Sequence, residues 1–263
     1  MGNNILTERP STIRALARQT LQGRWVEAFL VLITVQIITD LPVYILESIS
    51  DSQILSWIGT AYSIIVGAPL SFGVTSYFLK VFRRQPGGMQ DLKDSFGLLA
   101  KAVNLYVTIY IYTFLWALLF IIPGVIASIR YSQAWFILAD DPSKSPRQCI
   151  EESKYLMNGN KLLFFKLMLS FAGWIILASV PYGILAYLTD PDFVQLAIEQ
   201  GPEFWMIYRP SIIVELASLL TLFIDVYINT SQACFYDLLT GNLVMSYEEP
   251  KRVFDTEGQN GGF

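Results

Sequence analysis

The sequence predicts an all-α protein, a polytopic membrane helix bundle with six transmembrane helices. Three observations lead to this fold class. Of the 263 residues, 53% are hydrophobic and 15% are charged, whereas an ordinary soluble domain carries about 25% charged residues. The mean hydropathy is +0.45. The apolar residues also fall in long runs. This composition excludes a disordered chain, and the net charge of −4 argues against a nucleic-acid partner.

The lengths of the apolar runs define the individual spans, because a bilayer core of about 30 Å requires roughly 20 residues of helix. One stretch, residues 104–139, is too long for a single span. Pro123-Gly124 interrupts it and predicts two short helices joined at a turn, although one kinked helix would give five spans in all. The predicted spans are 25–46, 57–79, 104–121, 125–140, 161–188 and 211–237.

The basic residues favour six spans over five. Of the 18 Lys and Arg residues, all except Arg130 and Arg209 lie in or beside four segments: before the first span, after the second, after the fourth and after the sixth. Six spans bring these segments to one side, as the positive-inside rule expects. We therefore predict a multi-pass protein of the plasma membrane with both termini in the cytoplasm. Residues 1–240 form a single transmembrane domain, and the polar, Gly-rich residues 241–263 are predicted to be a disordered cytoplasmic tail.

The chain contains a weak internal repeat of three units, each a short amphipathic helix followed by a hairpin of two spans. Residues 17–23 and 153–159 share a pattern of small, basic, apolar, amide and glycine positions, and residues 132–136 resemble 231–235. Repeats of this kind occur in transporter folds and in other bundles. The apolar face of the first short helix, with Ile13 and Ala17, predicts a position in the lipid headgroup region, and a specific anionic-lipid site is the alternative.

A polar stripe on the sixth span is the clearest candidate for a functional site. Steps of three or four residues place its members on one helix face. They are Glu215, Ser218, Thr221, Asp225, Asn229 and Gln232. The stripe predicts either hydrogen bonding within the bundle or the lining of a ligand site, with Asp225 near mid-membrane. On the second span, Thr60, Ser63, Gly67 and Ser71 form a small-residue face that predicts close packing against another helix.

Three charges, one of them Glu215 of the stripe, fall at a similar depth near the outer surface, and charged groups inside a span usually face protein or water. Asp40 lies in the first span and Arg130 in the fourth, and Arg130 is the only basic residue far from an interface. A buried guanidinium favours a carboxylate partner, so we predict that Arg130 pairs with Asp40 or with Glu215. Asp225, Asn229, Glu215, Arg130 and Asp40 are the candidate ligand-binding residues.

Several short motifs between residues 115 and 174 carry a family resemblance. They are residues 122–124 (IPG), 130–134 (RYSQA), 137–142 (ILADDP), 152–161 (ESKYLMNGNK) and 169–174 (LSFAGW). This pattern resembles the bacterial integral-membrane family known as domain of unknown function 975. The sequence departs from it at Asn160, where the family often has histidine. The resemblance implies the same helical membrane topology, and it implies no activity, cofactor or site residue.

Two functions remain open. The first is the binding or transport of a small molecule or lipid along the stripe on the sixth span. The second is a non-catalytic accessory or scaffold role for a membrane enzyme or transporter. An intramembrane enzyme is disfavoured, because the sequence has no histidine, no lysine lies deep in a predicted span and the carboxylates lack a near neighbour in sequence. The two cysteines, Cys149 and Cys234, are too few and too far apart to predict a disulfide framework or a metal site. No cofactor or metal is predicted. The expected partners are membrane lipids and, under the second function, a membrane protein.

Overall fold

The computed structural model of the protein describes residues 4–49, 52–190, 192–201 and 212–243, though not the side chains of Glu47 and of residues 212–218. In these residues the regular secondary structure is entirely helical. The first unit contains α1 (Pro10–Thr20), α2 (Trp25–Ile49) and α3 (Gln53–Phe82). The second contains α4 (Met89–Asp94), α5 (Leu99–Leu119), α6 (Ile121–Tyr131) and α7 (Ala134–Asp140). The third contains α8 (Pro146–Leu156), α9 (Lys161–Leu169), α10 (Ala172–Thr189), α11 (Phe193–Gln200) and α12 (Ile212–Thr240).

Five helical stretches of the described chain are long and apolar enough to cross a membrane. They are Trp25–Leu46, Gln53–Phe82, Met89–Leu119, Ile121–Asp140 and Lys161–Thr189. This is the pattern of a multi-pass membrane protein. The break predicted at Pro123-Gly124 is displaced slightly, since the chain turns at Phe120, whose backbone is extended (φ −161°, ψ 152°). The predicted tail lies outside the described residues beyond Leu243.

The repeat detected in the sequence has a structural counterpart in α1 and α8. Each helix has 11 residues and begins with a proline, Pro10 or Pro146, where a missing N–H costs nothing. A glycine with positive φ follows each helix, Gly23 at +79° and Gly159 at +88°, and each turn leads directly into an apolar helix. Only glycine adopts this conformation without strain, which explains why both copies of the motif end in glycine.

The two amphipathic helices are packed on the bundle. Ile13, Ala17 and Leu21 are fully buried, and α1 contacts α12 and α9. The Tyr227 hydroxyl donates a hydrogen bond to the Arg14 carbonyl at 2.9 Å. The apolar face of α1 is therefore covered by protein, which corrects the prediction that it faces the headgroup region. In the same way, α8 buries its apolar face against α5, α6 and α7.

The N-terminal segment is tied to the third unit by one buried side chain. The Asn160 amide oxygen accepts a hydrogen bond from the Leu6 N–H at 2.9 Å, and its amide nitrogen donates to the Asn4 carbonyl at 2.9 Å. The same nitrogen donates to the Leu156 carbonyl at 2.9 Å. The side-chain amide of Asn160 thus forms hydrogen bonds with backbone groups of the segment that precedes α1, as a peptide group would. This is the position at which the sequence departs from the pattern it resembles.

An ion cluster joins the ends of α3, α7 and α12. Arg83, directly after α3, contacts Asp140 (Nη1 to Oδ1, 2.5 Å) and Asp237 (Nη2 to Oδ1, 2.7 Å). The Tyr236 hydroxyl also donates to Asp140 Oδ2 at 3.1 Å, and its ring stacks on Phe136. Burial acts to lower the pKa of Arg83, but the hydrogen bonds to both carboxylates outweigh it, so this pKa lies above its ordinary value. The cluster therefore holds the C-terminal ends of α3, α7 and α12 close together.

Replacing Arg83 should destabilise the protein, because Asp140 and Asp237 would be left close together without a cation. We expect Arg83→Gln to lower the free energy of unfolding by about 2–4 kcal/mol, less than for a fully buried pair since Arg83 and Asp140 retain some exposure. Denaturant unfolding in detergent, followed by tryptophan fluorescence, measures the change. Arg147→Gln is the control, because it breaks the exposed Arg147–Glu151 pair on α8, worth under about 0.5 kcal/mol. Equal small losses in both variants would contradict the assignment.

The turn between α5 and α6 brings two helices into close contact at Gly124. A Cβ atom there would lie 2.7 Å from the Cβ atom and 2.8 Å from the Cα atom of Ala117. Gly124→Ala should therefore force the helices apart and cost about 1–3 kcal/mol, despite the higher helix propensity of alanine. Gly173→Ala in α10 meets no atom within 4 Å and should be neutral or stabilising. Thermal unfolding of the two variants side by side tests this difference, and matching melting temperatures would argue against the contact.

Candidate functional site

A cavity of about 530 Å³ lies between α2, α3 and α12, with one wall formed by Trp135 of α7. Polar side chains enter it from all three long helices, and the remaining lining is aliphatic. The polar members are Gln36 and Thr39 of α2, Ser71 and Thr75 of α3, and Thr221, Asp225, Asn229 and Gln232 of α12. Its volume lies in the range of 300–1,000 Å³ that is typical of small-molecule sites.

The α12 side of the cavity is the stripe that helical spacing predicted. Thr221, Asp225, Asn229 and Gln232 all line the same cavity, because steps of three and four residues return to one face of a helix. The side chains of Glu215 and Ser218 lie outside the described residues. The stripe therefore faces this cavity over the part of α12 whose side chains are described.

Hydrogen bonding along the helices makes the cavity rich in acceptors. The Ser71 hydroxyl donates to the Gly67 carbonyl at 2.8 Å, and the Thr75 hydroxyl donates to the Ser71 carbonyl at 2.9 Å. The Asn229 amide nitrogen similarly donates to the Asp225 carbonyl at 2.8 Å. Each of these side chains uses a proton inside its own helix and keeps oxygen lone pairs that can accept hydrogen bonds from a ligand.

Among the described residues, Asp225 is the only charged group that lines the cavity. It is half-buried, and no ion pair to its carboxylate occurs in the described part of the chain. Gln36 adds a second acceptor, since its amide oxygen is buried without a hydrogen-bond partner. A carboxylate and an unpaired amide oxygen in one partly enclosed space favour a ligand that brings positive charge or several N–H donors.

The predicted pairing of Arg130 with Asp40 is wrong. Asp40 is exposed on α2, and its carboxylate accepts a hydrogen bond from the Thr39 hydroxyl at 2.9 Å. Arg130 lies in α6, which contacts α5, α8 and α9, whereas α2 packs on α3 and α12. The two side chains therefore belong to different faces of the bundle. The alternative partner, Glu215, has a side chain outside the described residues.

The contributions of α2 and α7 to the cavity were not predicted from the sequence. Gln36 and Thr39 are three residues apart on α2, which was a usable signal of a polar face, whereas nothing local marked Trp135. The small-residue face on α3 was expected to pack closely against another helix. At Gly67 it does not, since an added Cβ atom would meet no atom within 4 Å, and Ser71 of the same face lines the cavity instead.

No curated protein and no solved structure shows significant similarity to the chain. A family model described as "Protein of unknown function (DUF975)" matches residues 102–242, which is more than half of the chain. The matched region extends from α5 into the residues that follow α12, so it includes Asp225, Asn229 and the carboxylates of the Arg83 cluster. The chain therefore belongs to the DUF975 family of proteins of unknown function.

Proposed function

We propose that this chain is a six-span protein of the plasma membrane that binds, and transports, a small molecule in the cavity between α2, α3 and α12. The sixth span is α12, whose 29 residues extend over about 43 Å, more than a bilayer core requires. The distribution of Lys and Arg supports cytoplasmic termini, as the positive-inside rule expects. With six spans, the Arg83 cluster lies at the cytoplasmic end of the bundle.

The observation that carries the proposal is the position of the Asp225 carboxylate in an acceptor-rich cavity that no Lys or Arg side chain of the described residues lines. A carboxylate inside a membrane bundle is costly unless it is paired or solvated. The hydroxyl and amide oxygens around it increase the local negative potential. A ligand with an ammonium or similar cationic group would supply the missing charge, and the Trp135 ring offers an aromatic surface for such a group.

A binding measurement on one isosteric variant tests the proposal. The protein in lipid nanodiscs is titrated with a panel of small amines, namely ethanolamine, choline and spermidine, and bound species are detected by native mass spectrometry. We expect the wild type to bind at least one amine and Asp225→Asn to bind it about 10- to 100-fold more weakly, because the attraction between the cationic group and the carboxylate is lost. The variant should fold normally, since Asp225 has no ion pair to lose among the described residues.

Glu199→Gln is the matched control, because it removes an exposed carboxylate on α11 that is far from the cavity lining. Equal amine affinity in the wild type and Asp225→Asn would refute the assignment of Asp225. A wild type that binds none of the amines, but retains a stoichiometric protein partner that Asp225→Asn also retains, would favour an accessory role.

A further inference from the structure

A second cavity, of about 660 Å³, lies on a different face of the bundle, between α5, α6 and α8. Its charge balance is opposite to that of the cavity around Asp225. Three cations line it, Arg130, Arg147 and Lys154, together with one carboxylate, Glu151. The two cavities share no lining residue.

Two of the three cations have no carboxylate partner within the described part of the chain. Arg147 pairs with Glu151 at 3.1 Å (Nε to Oε1), one turn along α8. Arg130 and Lys154 take part in no ion pair there. Both side chains are half-buried, so water solvates them only in part. The cavity therefore holds an excess of positive charge that the described protein does not neutralise.

Contacts with neighbouring groups fix the backbone of Arg130 and the ammonium group of Lys154. The buried Ser153 hydroxyl donates a hydrogen bond to the Arg130 carbonyl at 2.8 Å and so joins α8 to α6. The next residue, Lys154, places its ammonium group 5.8 Å from the centre of the Tyr112 ring and 5.6 Å from that of Tyr131. The rings attract the ammonium group, but they leave its hydrogen-bond donors available to an anion.

We infer that this cavity binds a phosphate group between Arg130 and Lys154, and that the phosphate belongs to an anionic phospholipid whose acyl chains lie along α5 and α6. A guanidinium can bind two phosphate oxygens at once, and a neighbouring ammonium adds a point charge. Beside the cations, the side chains of Trp116, Val125 and Ile126 are 43–45% exposed and offer an apolar surface for acyl chains. Basic pockets between membrane helices bind lipid headgroups by this combination of charge and apolar surface.

The test compares two charge-matched double variants in nanodiscs that contain equal amounts of phosphatidylglycerol and phosphatidylcholine. Arg130→Gln with Lys154→Gln neutralises the cavity. Arg18→Gln with Lys93→Gln removes two exposed cations elsewhere, and Arg18 occupies on α1 the repeat position that Lys154 occupies on α8. After release into mild detergent, native mass spectrometry counts the retained lipids. We expect the wild type and the control to retain phosphatidylglycerol, and the cavity variant to retain it at least 10-fold less.

A second arm separates the two sources of the phosphate group. Inorganic phosphate is titrated into delipidated protein in detergent, and its binding is followed by the thermal unfolding temperature. Stabilisation by inorganic phosphate that the cavity variant lacks, without selective retention of phosphatidylglycerol, supports a phosphate site for a soluble ligand and overturns the lipid assignment. Equal lipid retention in the two double variants, with no effect of phosphate, overturns the site itself.

A measurement on the wild type alone covers the case in which the cavity variant fails to fold. Binding through Arg130 and Lys154 requires the wild type to retain phosphatidylglycerol in preference to phosphatidylcholine, and this preference should weaken as the salt concentration rises. Equal retention of the two lipids by the wild type would refute the proposal without any variant.

Discussion

The arrangement of the long helices depends on the ion pairs that the Arg83 guanidinium forms with Asp140 and Asp237. Asp140 and Asp237 would repel each other without a cation between them. In the chain, Asp140 follows Arg83 by 57 positions and Asp237 follows it by 154. Thr75, Trp135 and Gln232 line the cavity around Asp225, and each lies about one to two turns from the cluster residue of its own helix. A shift of any one helix end would therefore change the shape of the cavity as well as break the cluster.

The repeated units use the same local geometry for different purposes. α1 and α8 share their length, their initial proline and their terminal glycine, yet α1 packs on α12 and α9 whereas α8 packs on α5, α6 and α7. As a result, Lys154 on α8 faces a cavity, and its counterpart Arg18 on α1 is exposed. The repeat position that Arg18 and Lys154 share is thus exposed in one copy and lines a cavity in the other.

The features that could be predicted from the sequence are those set by local periodicity. The apolar runs, the break near Pro123-Gly124 and the stripe from Thr221 to Gln232 depend on residues within a few turns of each other. The Arg83 cluster and the surroundings of Arg130 depend on which helices are neighbours, and the spacing of one chain carries no signal for that. The same reason explains why the apolar face of α1 suggested lipid: a buried helix and an interfacial helix share one amphipathic pattern.

The hydrogen bonds from Asn160 to the N-terminal segment also constrain the order in which the molecule is assembled. Leu6 and Asn160 are separated by 154 positions, so the segment cannot dock until α8 has been synthesised. At about 5–20 residues per second, it waits roughly 8–30 s after leaving the ribosome. During that interval its backbone groups have only water or lipid headgroups as partners. The segment that precedes α1 therefore reaches its final position only after the 154 residues up to Asn160 have been made.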